Sequence, residues 1–266
     1  VQLKYSIEAY LIYIAMAASV VGIVLYLARR AIASMLLGFL VCAVLLLAWV
    51  LRWSHVGHIP MQNMFEVFLT LGVFMLPIGG AARYLTGIQS RADKLGDYML
   101  MLVILFPAGF IFSDQMQKLP PALQSPLFGP HVAVYMLSYI LMAKAAVQAW
   151  LGLVQPEAKL ELSKDYEKSA YLMVCISFPF LSLGLFLGSF WGKLAWGDWW
   201  GWDPKELWSL ACWLMVAFYF HWRYLYGQTR PRINCIWVIL GFVFVVITLL
   251  WVNLSRTFSG MHNYAS

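Results

Sequence analysis

Apolar stretches of about 20 residues, each long enough to cross a bilayer core of roughly 30 Å, recur along the whole chain. They fall at 8–28, 31–51, 63–83, 97–113, 131–153, 169–190, 206–226 and 233–253. The connections between them are too short to hold a soluble domain of useful size. With 62% hydrophobic and only 11% charged residues, the composition excludes a soluble globular domain. Backbone groups inside lipid must be satisfied within the segment, so spans of this length are expected as helices. The expected fold is all-α: a polytopic integral membrane protein of about eight transmembrane helices, forming a single domain over 1–266. The chain opens on Val1 rather than Met, as an excised or processed piece of a longer protein would. Its first apolar stretch has full span length and no basic leader, so it is expected to stay as a helix.

Lysines and arginines in the connections set the orientation. Arg29, Arg30, Arg83, Arg91, Lys94, Lys159, Lys164, Lys168, Arg223, Arg230 and Arg232 lie on one side, eleven in all. Lys4, Arg52, Lys118, Lys193, Lys205 and Arg256 make six on the other. The eleven mark the cytoplasmic face and place both termini outside. The net charge of +6 suits contact with anionic membrane lipid. No nucleic acid is expected, because the positive charges are confined to short connections. Cys42, Cys175, Cys212 and Cys235 sit singly within apolar stretches, with no CxxC or CxxCH. They read as small buried hydrophobes. The segment from Glu157 to Lys168 reads as an ordinary solvated charged connection. The proline-rich segment from Asp114 to Pro130 reads as an extended surface loop.

One outside connection is unlike the rest. Seven of the thirteen tryptophans fall between Trp191 and Trp213. The centre of that window, Trp196 to Glu206, reads WGDWWGWDPKE. Gly197, Gly201 and Pro204 interrupt regular structure there, so a loop is expected. A loop this rich in indole needs a membrane interface or a large flat apolar ligand against it. Interfacial belt tryptophans are normally scattered over several helix ends, whereas Trp196, Trp199, Trp200 and Trp202 crowd around glycines and the two carboxylates Asp198 and Asp203. Four of the five histidines, His55, His58, His131 and His262, lie on the same face. Imidazole is a common ligand of haem iron and other transition metals. Two imidazoles from different helix ends, closing over an indole platform, suit a haem bound near the membrane surface. His131 opens a span directly after Pro130, and His262 lies in a Gly-containing tail just past the last span. His55 reads as a solvated loop residue, and His58 stays open between structure and ligand. Arg52, Lys193, Lys205 and Arg256 read as interface charges, with haem propionates as their alternative partners. Glu66 is expected to fix the outer end of the third span.

Two ionisable residues fall inside spans, where such groups are costly and mark function by default. His221 is expected about 22 Å deep and Lys144 about 20 Å deep at 1.5 Å per residue. Lys144 is open between snorkelling to the interface and function. His221 is open between a satisfied bundle histidine and a ligand of a second haem within the membrane.

The WGDWWGWDPKE run resembles the signature of the tryptophan-rich WWD haem-handling family. Its DPKE ending, followed by Leu207, Trp208 and Ser209, is similar to the CcsA/ResC branch of system II cytochrome c biogenesis. Gly57, His58 and Pro60 with Asn63 and Glu66 resemble that branch's GHxP..N..E segment. Ser259, Gly260 and His262 resemble its C-terminal SG-x-H ending. The resemblance covers nearly the whole chain. It implies that His131 and His262 ligate haem beside the Trp loop, with Trp196, Gly197, Asp198, Trp199, Trp200, Gly201, Trp202 and Asp203 around it. It implies that His221 binds haem during export. The cofactor implied is non-covalent haem b (iron protoporphyrin IX) with bis-histidine ligation. The reaction implied joins haem vinyl groups to the thiols of CxxCH in apocytochrome c, by positioning rather than by a catalytic triad. Implied partners are a CcsB/ResB-type membrane protein, or the N-terminal half of a fused CcsBA chain, apocytochrome c and thiol-reducing proteins. The implied location is a bacterial inner membrane or a thylakoid membrane, with the Trp loop on the periplasmic or lumenal side. The alternatives are a system I-type haem chaperone that passes haem to a carrier, and a transporter without bound cofactor.

Overall fold

The computed structural model describes residues 3–87, 91–156 and 159–251. Regular structure among them is helical: α1 (Ile7–Leu27), α2 (Ala31–Val56), α3 (Met64–Thr86), α4 (Arg91–Phe110), α5 (Phe128–Leu153), α6 (Leu160–Trp196), α7 (Pro204–Tyr226) and α8 (Pro231–Val246). Each of the eight expected spans overlaps one helix within the described residues. Six of these helices are long and apolar enough to cross a membrane, and the protein is an all-α polytopic membrane protein. The other two, α4 and α7, open on charged turns. Arg91, Asp93, Lys94 and Asp97 stand at the head of α4, and Lys205 and Glu206 at the head of α7. Only 28% of the apolar window of α1 or α2 is buried within the protein, against 61% for α3 and α5. The exposed aliphatic faces of α1 and α2 suit lipid contact. The described residues form two compact units, divided at Arg83 and at Gln124. The first holds α1, α2, most of α3 and α4, and the second holds α5 to α8.

In the first unit a knot of buried polar groups ties the end of α2 to the start of α3. The helix α2 continues to Val56, past the expected boundary, and so carries Arg52 inside. Arg52 is not an interface charge: its side chain is 1% exposed and sits 2.9 Å from the equally buried Glu66. Its Nη1 donates to the Asp114 carbonyl at 2.6 Å and its Nη2 to that of Gln115 at 3.1 Å. Glu66 also accepts from the Gln62 amide at 2.9 Å, while Asn63 Oδ1 accepts from the Glu66 amide at 2.9 Å. The role expected for Glu66, fixing the head of α3, is what these bonds perform. They also mean that the segment after Asp114 is no plain surface loop, because its carbonyls complete a buried cation's shell. At the other end of α3, Arg83 pairs with the buried Asp93 and Asp97 of α4.

In the second unit, alanines along one side of α5 (Ala145, Ala149) let Met173 and Val174 of α6, Cys212 and Val216 of α7, and Cys235 and Val238 of α8 close into one core. All four cysteines are free thiols, two of them buried and two half-buried. Ser138 of α5 and Ser177 of α6 bond at 2.8 Å across this interface. Lys144 does not snorkel: it is 2% exposed, inside the unit. The expected solvated connection is in fact the opening of α6, from Leu160 onward. It turns Glu167 inward, where Glu167 receives Arg223 Nε at 2.7 Å and Asn234 Nδ2 at 3.1 Å. A carboxylate in a charged run was legible as solvated because its partners lie on α7 and α8, far away in sequence.

Candidate functional site

The Trp loop is built by the end of one helix and the cap of the next. Gly197 ends α6 with φ +88°, a conformation that glycine adopts without a Cβ penalty. Lys193 Nζ holds the Gly197 carbonyl at 2.5 Å, and Ser189 Oγ holds that of Trp199 at 2.8 Å. From there the chain passes through Trp202 at φ +57°. A bulky residue in that region is strained by about 1–3 kcal/mol and persists only where its surroundings enforce it. The enforcement comes next. Asp203 caps α7, its Oδ1 accepting from the Lys205 amide at 2.9 Å, and Glu206 closes a capping box. Glu206 Oε2 takes both the Asp203 amide at 3.2 Å and the Gly201 amide at 2.8 Å. Pro204 stands at the first helical position, where a missing N–H costs nothing. The DPKE ending is therefore the clasp of the loop. Replacing Glu206 by alanine is expected to destabilise this cap by about 1 kcal/mol. It should also make tryptophan emission more accessible to iodide quenching, with helix content by circular dichroism unchanged.

The clasp leaves the indoles in tiers. Trp191 is buried, with its ring 5.6 Å from that of Trp196. Trp199 leans on Phe190 at 5.9 Å, and Trp200 meets Trp202 edge-on at 6.2 Å. Trp199 and Trp202 remain 52% and 69% exposed, which leaves apolar indole surface open to a ligand or a membrane interface. Asp198 is exposed, whereas Asp203 is buried in its cap.

His131, in the first turn of α5, stands against the buried end of this cluster. Its ring lies 5.6 Å from Trp191 and 5.1 Å from Tyr135, the latter edge-on. Nδ1 lies 3.1 Å from the Gly184 carbonyl of α6. A carbonyl can only accept, so Nδ1 carries the proton; when the ring is neutral, its lone pair is on Nε2. This arrangement orients a metal-ligating histidine and raises its basicity. The structure thus brings His131 and the segment from Trp196 to Asp203 together at one end of the second unit. His262 and Arg256 lie outside the described residues.

His221 lies elsewhere on the same unit, 17 residues along α7 from Pro204, or about 26 Å along the axis. It is exposed, and its Nδ1 faces the Ala217 carbonyl at 2.8 Å, which again leaves Nε2 as the lone-pair nitrogen. It lines a cavity of about 680 Å³ with Tyr171, Phe220, Arg223, Tyr224 and Gly227, a volume within the ~300–1,000 Å³ range of small-molecule sites. The remaining histidines belong to the first unit. His55 pairs with the buried Glu8 at 2.9 Å, and is held rather than merely solvated. Both ring nitrogens of His58 face carbonyl oxygens, Ile59 at 2.9 Å and Gln117 at 3.4 Å. These contacts are what a structural role asks of His58.

The sequence reading missed the residues beneath His131. Gly184, Gly188 and Gly192 repeat every four residues on α6 and share one face. That spacing was visible in the chain, hidden only by the louder tryptophans beside it.

Residues 6–259 match the family described as Cytochrome C assembly protein. The chain belongs to that family. This family member is 31% identical over 236 residues to the cytochrome c biogenesis protein CcsA of Chlamydomonas reinhardtii, covering 83% of its own length and 65% of that relative's. It is 30% identical over 250 residues to CcsA of Synechococcus sp. strain RCC307, covering 80% and 78% of the two chains. Among solved structures it shares the fold of the cytochrome c haem lyase CcmF, with a TM-score of 0.66 at 18% identity. That match covers 94% of this chain and 48% of the CcmF chain. The chain thus spans slightly under two thirds of the Chlamydomonas relative and about half of CcmF.

Proposed function

We propose that this chain takes part in cytochrome c maturation, holding haem b at the tryptophan loop while its vinyl groups are joined to the two thiols of CxxCH in apocytochrome c. The observation that carries this reading is His131, fixed through Nδ1 by Gly184 beside the tilted Trp191–Trp196 pair. Haem is the substrate. Each thiol adds across one vinyl double bond, sulfur bonding to one carbon and the thiol hydrogen to the other, so no net oxidant or reductant is consumed. Reduced iron and free cysteine thiols are the conditions for that addition, which gives thiol-reducing proteins their part.

The chain's own residues then do positional work. His131 would supply one nitrogen ligand to the iron. His262 would supply the other by its match to the family ending, an assignment that rests on sequence alone. The exposed indoles of Trp199 and Trp202 offer an apolar seat, and the Asp203–Glu206 clasp holds that seat in place. His221, with its open cavity and its Nε2 lone pair, is proposed to bind haem on the route toward the loop. The bias of basic residues toward the other face supports a periplasmic or lumenal position for the loop, where apocytochrome c and a CcsB/ResB-type partner would meet it. A system I-type haem chaperone is less well supported, because the curated relatives at 30–31% identity are CcsA proteins.

The test is the visible absorption spectrum of the detergent-purified protein, co-expressed with its partner, before and after dithionite. A Soret band with sharp reduced α and β bands is expected. A colourless protein from haem-replete cells would overturn the reading and return the tryptophans to an interface belt.

A further inference from the structure

We infer that Gly188 and Gly184 of α6 are positioning residues for the His131 imidazole, an inference that rests on His131 being a haem ligand. The three glycines on this face of α6 each make room for a different part of the site. A Cβ on Gly192 would stand 3.3 Å from the Asp198 carbonyl of the Trp loop. One on Gly188 would stand 2.7 Å from His131 Cε1 and 3.2 Å from its Nδ1, and one on Gly184 would stand 2.9 Å from the Tyr135 ring. Small residues at four-residue spacing let helices approach closely in membranes. Here the space they leave is filled by the imidazole and the phenol ring that packs edge-on against it.

The rings have little freedom to yield. The imidazole is bounded by Tyr135, by Trp191 and by its bond to the Gly184 carbonyl. Tyr135 is itself 9% exposed and packs 5.6 Å from Tyr139. A methyl group at position 188 therefore meets the Nδ1–Cε1 edge of a confined ring, not the free end of a flexible chain. The ring must tip, and tipping it breaks the Nδ1–H···O=C bond that keeps the lone pair on Nε2. A methyl at position 184 acts through Tyr135, the neighbour that braces the same ring. The glycines thus decide both where the ligand nitrogen points and which tautomer it holds. Loss of such supporting contacts typically weakens metal binding about 10- to 100-fold.

The experiment titrates the haem-stripped full chain, purified with its membrane partner, with haemin in a His221→Ala background so that only the loop site reports. Gly188→Ala is expected to bind haemin about 10- to 100-fold more weakly and to lose the low-spin spectrum, with millimolar imidazole restoring that spectrum. Gly241→Ala, elsewhere in the same unit, meets the flexible end of Met142 at 3.2 Å and Val216 at an ordinary 3.8 Å, and should titrate as the parent does. Wild-type affinity and spectrum in Gly188→Ala, with both lost in His131→Ala, would overturn the positioning role while leaving the ligand in place. Loss in Gly188→Ala that imidazole does not restore would also overturn it, as a packing defect. Unchanged binding in His131→Ala would remove the underlying reading itself.

Discussion

Replacing His131 by alanine is expected to reduce holocytochrome c formation on the order of a hundredfold or more, with part of the activity returning when imidazole is added to the cells. The imidazole is the ring at the buried end of the indole cluster whose proton is fixed on Nδ1 by a backbone carbonyl. Removing it leaves the aromatic seat intact, since Trp191 keeps its contacts with Trp196 and Phe128. The loop clasp is also untouched, because it depends on Asp203 and Glu206. The variant therefore isolates loss of a ligand from loss of the seat, and added imidazole can occupy the gap. His55→Ala is the matched control, because His55 is engaged with Glu8 in the first unit. Haem-stained c-type cytochrome in membranes of cells carrying each variant reads the outcome. Wild-type staining with His131→Ala would mean that the indole cluster works without this imidazole.

The parts of the molecule legible in the sequence were those governed by local chemistry. Runs of apolar residues longer than a bilayer core gave the helices, and Gly197 and Pro204 marked the loop between α6 and α7. Glu66 announced itself as a cap because Asn63 stands three residues before it. The charges were read less well, and for one physical reason. Whether a charged side chain is solvated depends on partners contributed by other helices, and spacing along the chain does not reveal them. Arg52 looked like an interface cation until Glu66 and the carbonyls of Asp114 and Gln115 closed around it. Glu167 looked solvated until Arg223 and Asn234 reached it from α7 and α8. Asp203 looked like part of a ligand surface because it sits among tryptophans, whereas its carboxylate belongs to the cap of α7. The glycine face under His131 was overlooked because small residues signal by what they leave out.

Arg52→Met is expected to destabilise the first unit by about 3–5 kcal/mol, the usual result of stripping one partner from a buried ion pair. Methionine fills much of the same volume, so the loss is electrostatic rather than a cavity. It leaves the Glu66 carboxylate, 1% exposed, without its cation. It also withdraws the donors that satisfy the Asp114 and Gln115 carbonyls. Adding Glu66→Gln should recover most of that loss, because a neutral amide needs no counterion and its oxygen can still accept from the Gln62 amide. Glu66→Gln alone should cost less than Arg52→Met, since the guanidinium keeps two carbonyl acceptors and the Phe65 ring 5.2 Å away. Thermal unfolding in detergent of the two single variants and the double variant forms a cycle that isolates the coupling. A near-additive double variant would show that the two charges are held separately and would reduce the knot to a set of helix caps. Strong coupling would show that the head of α3 is fixed by charge neutralisation, with the backbone carbonyls after Asp114 serving as the outer shell of the arginine.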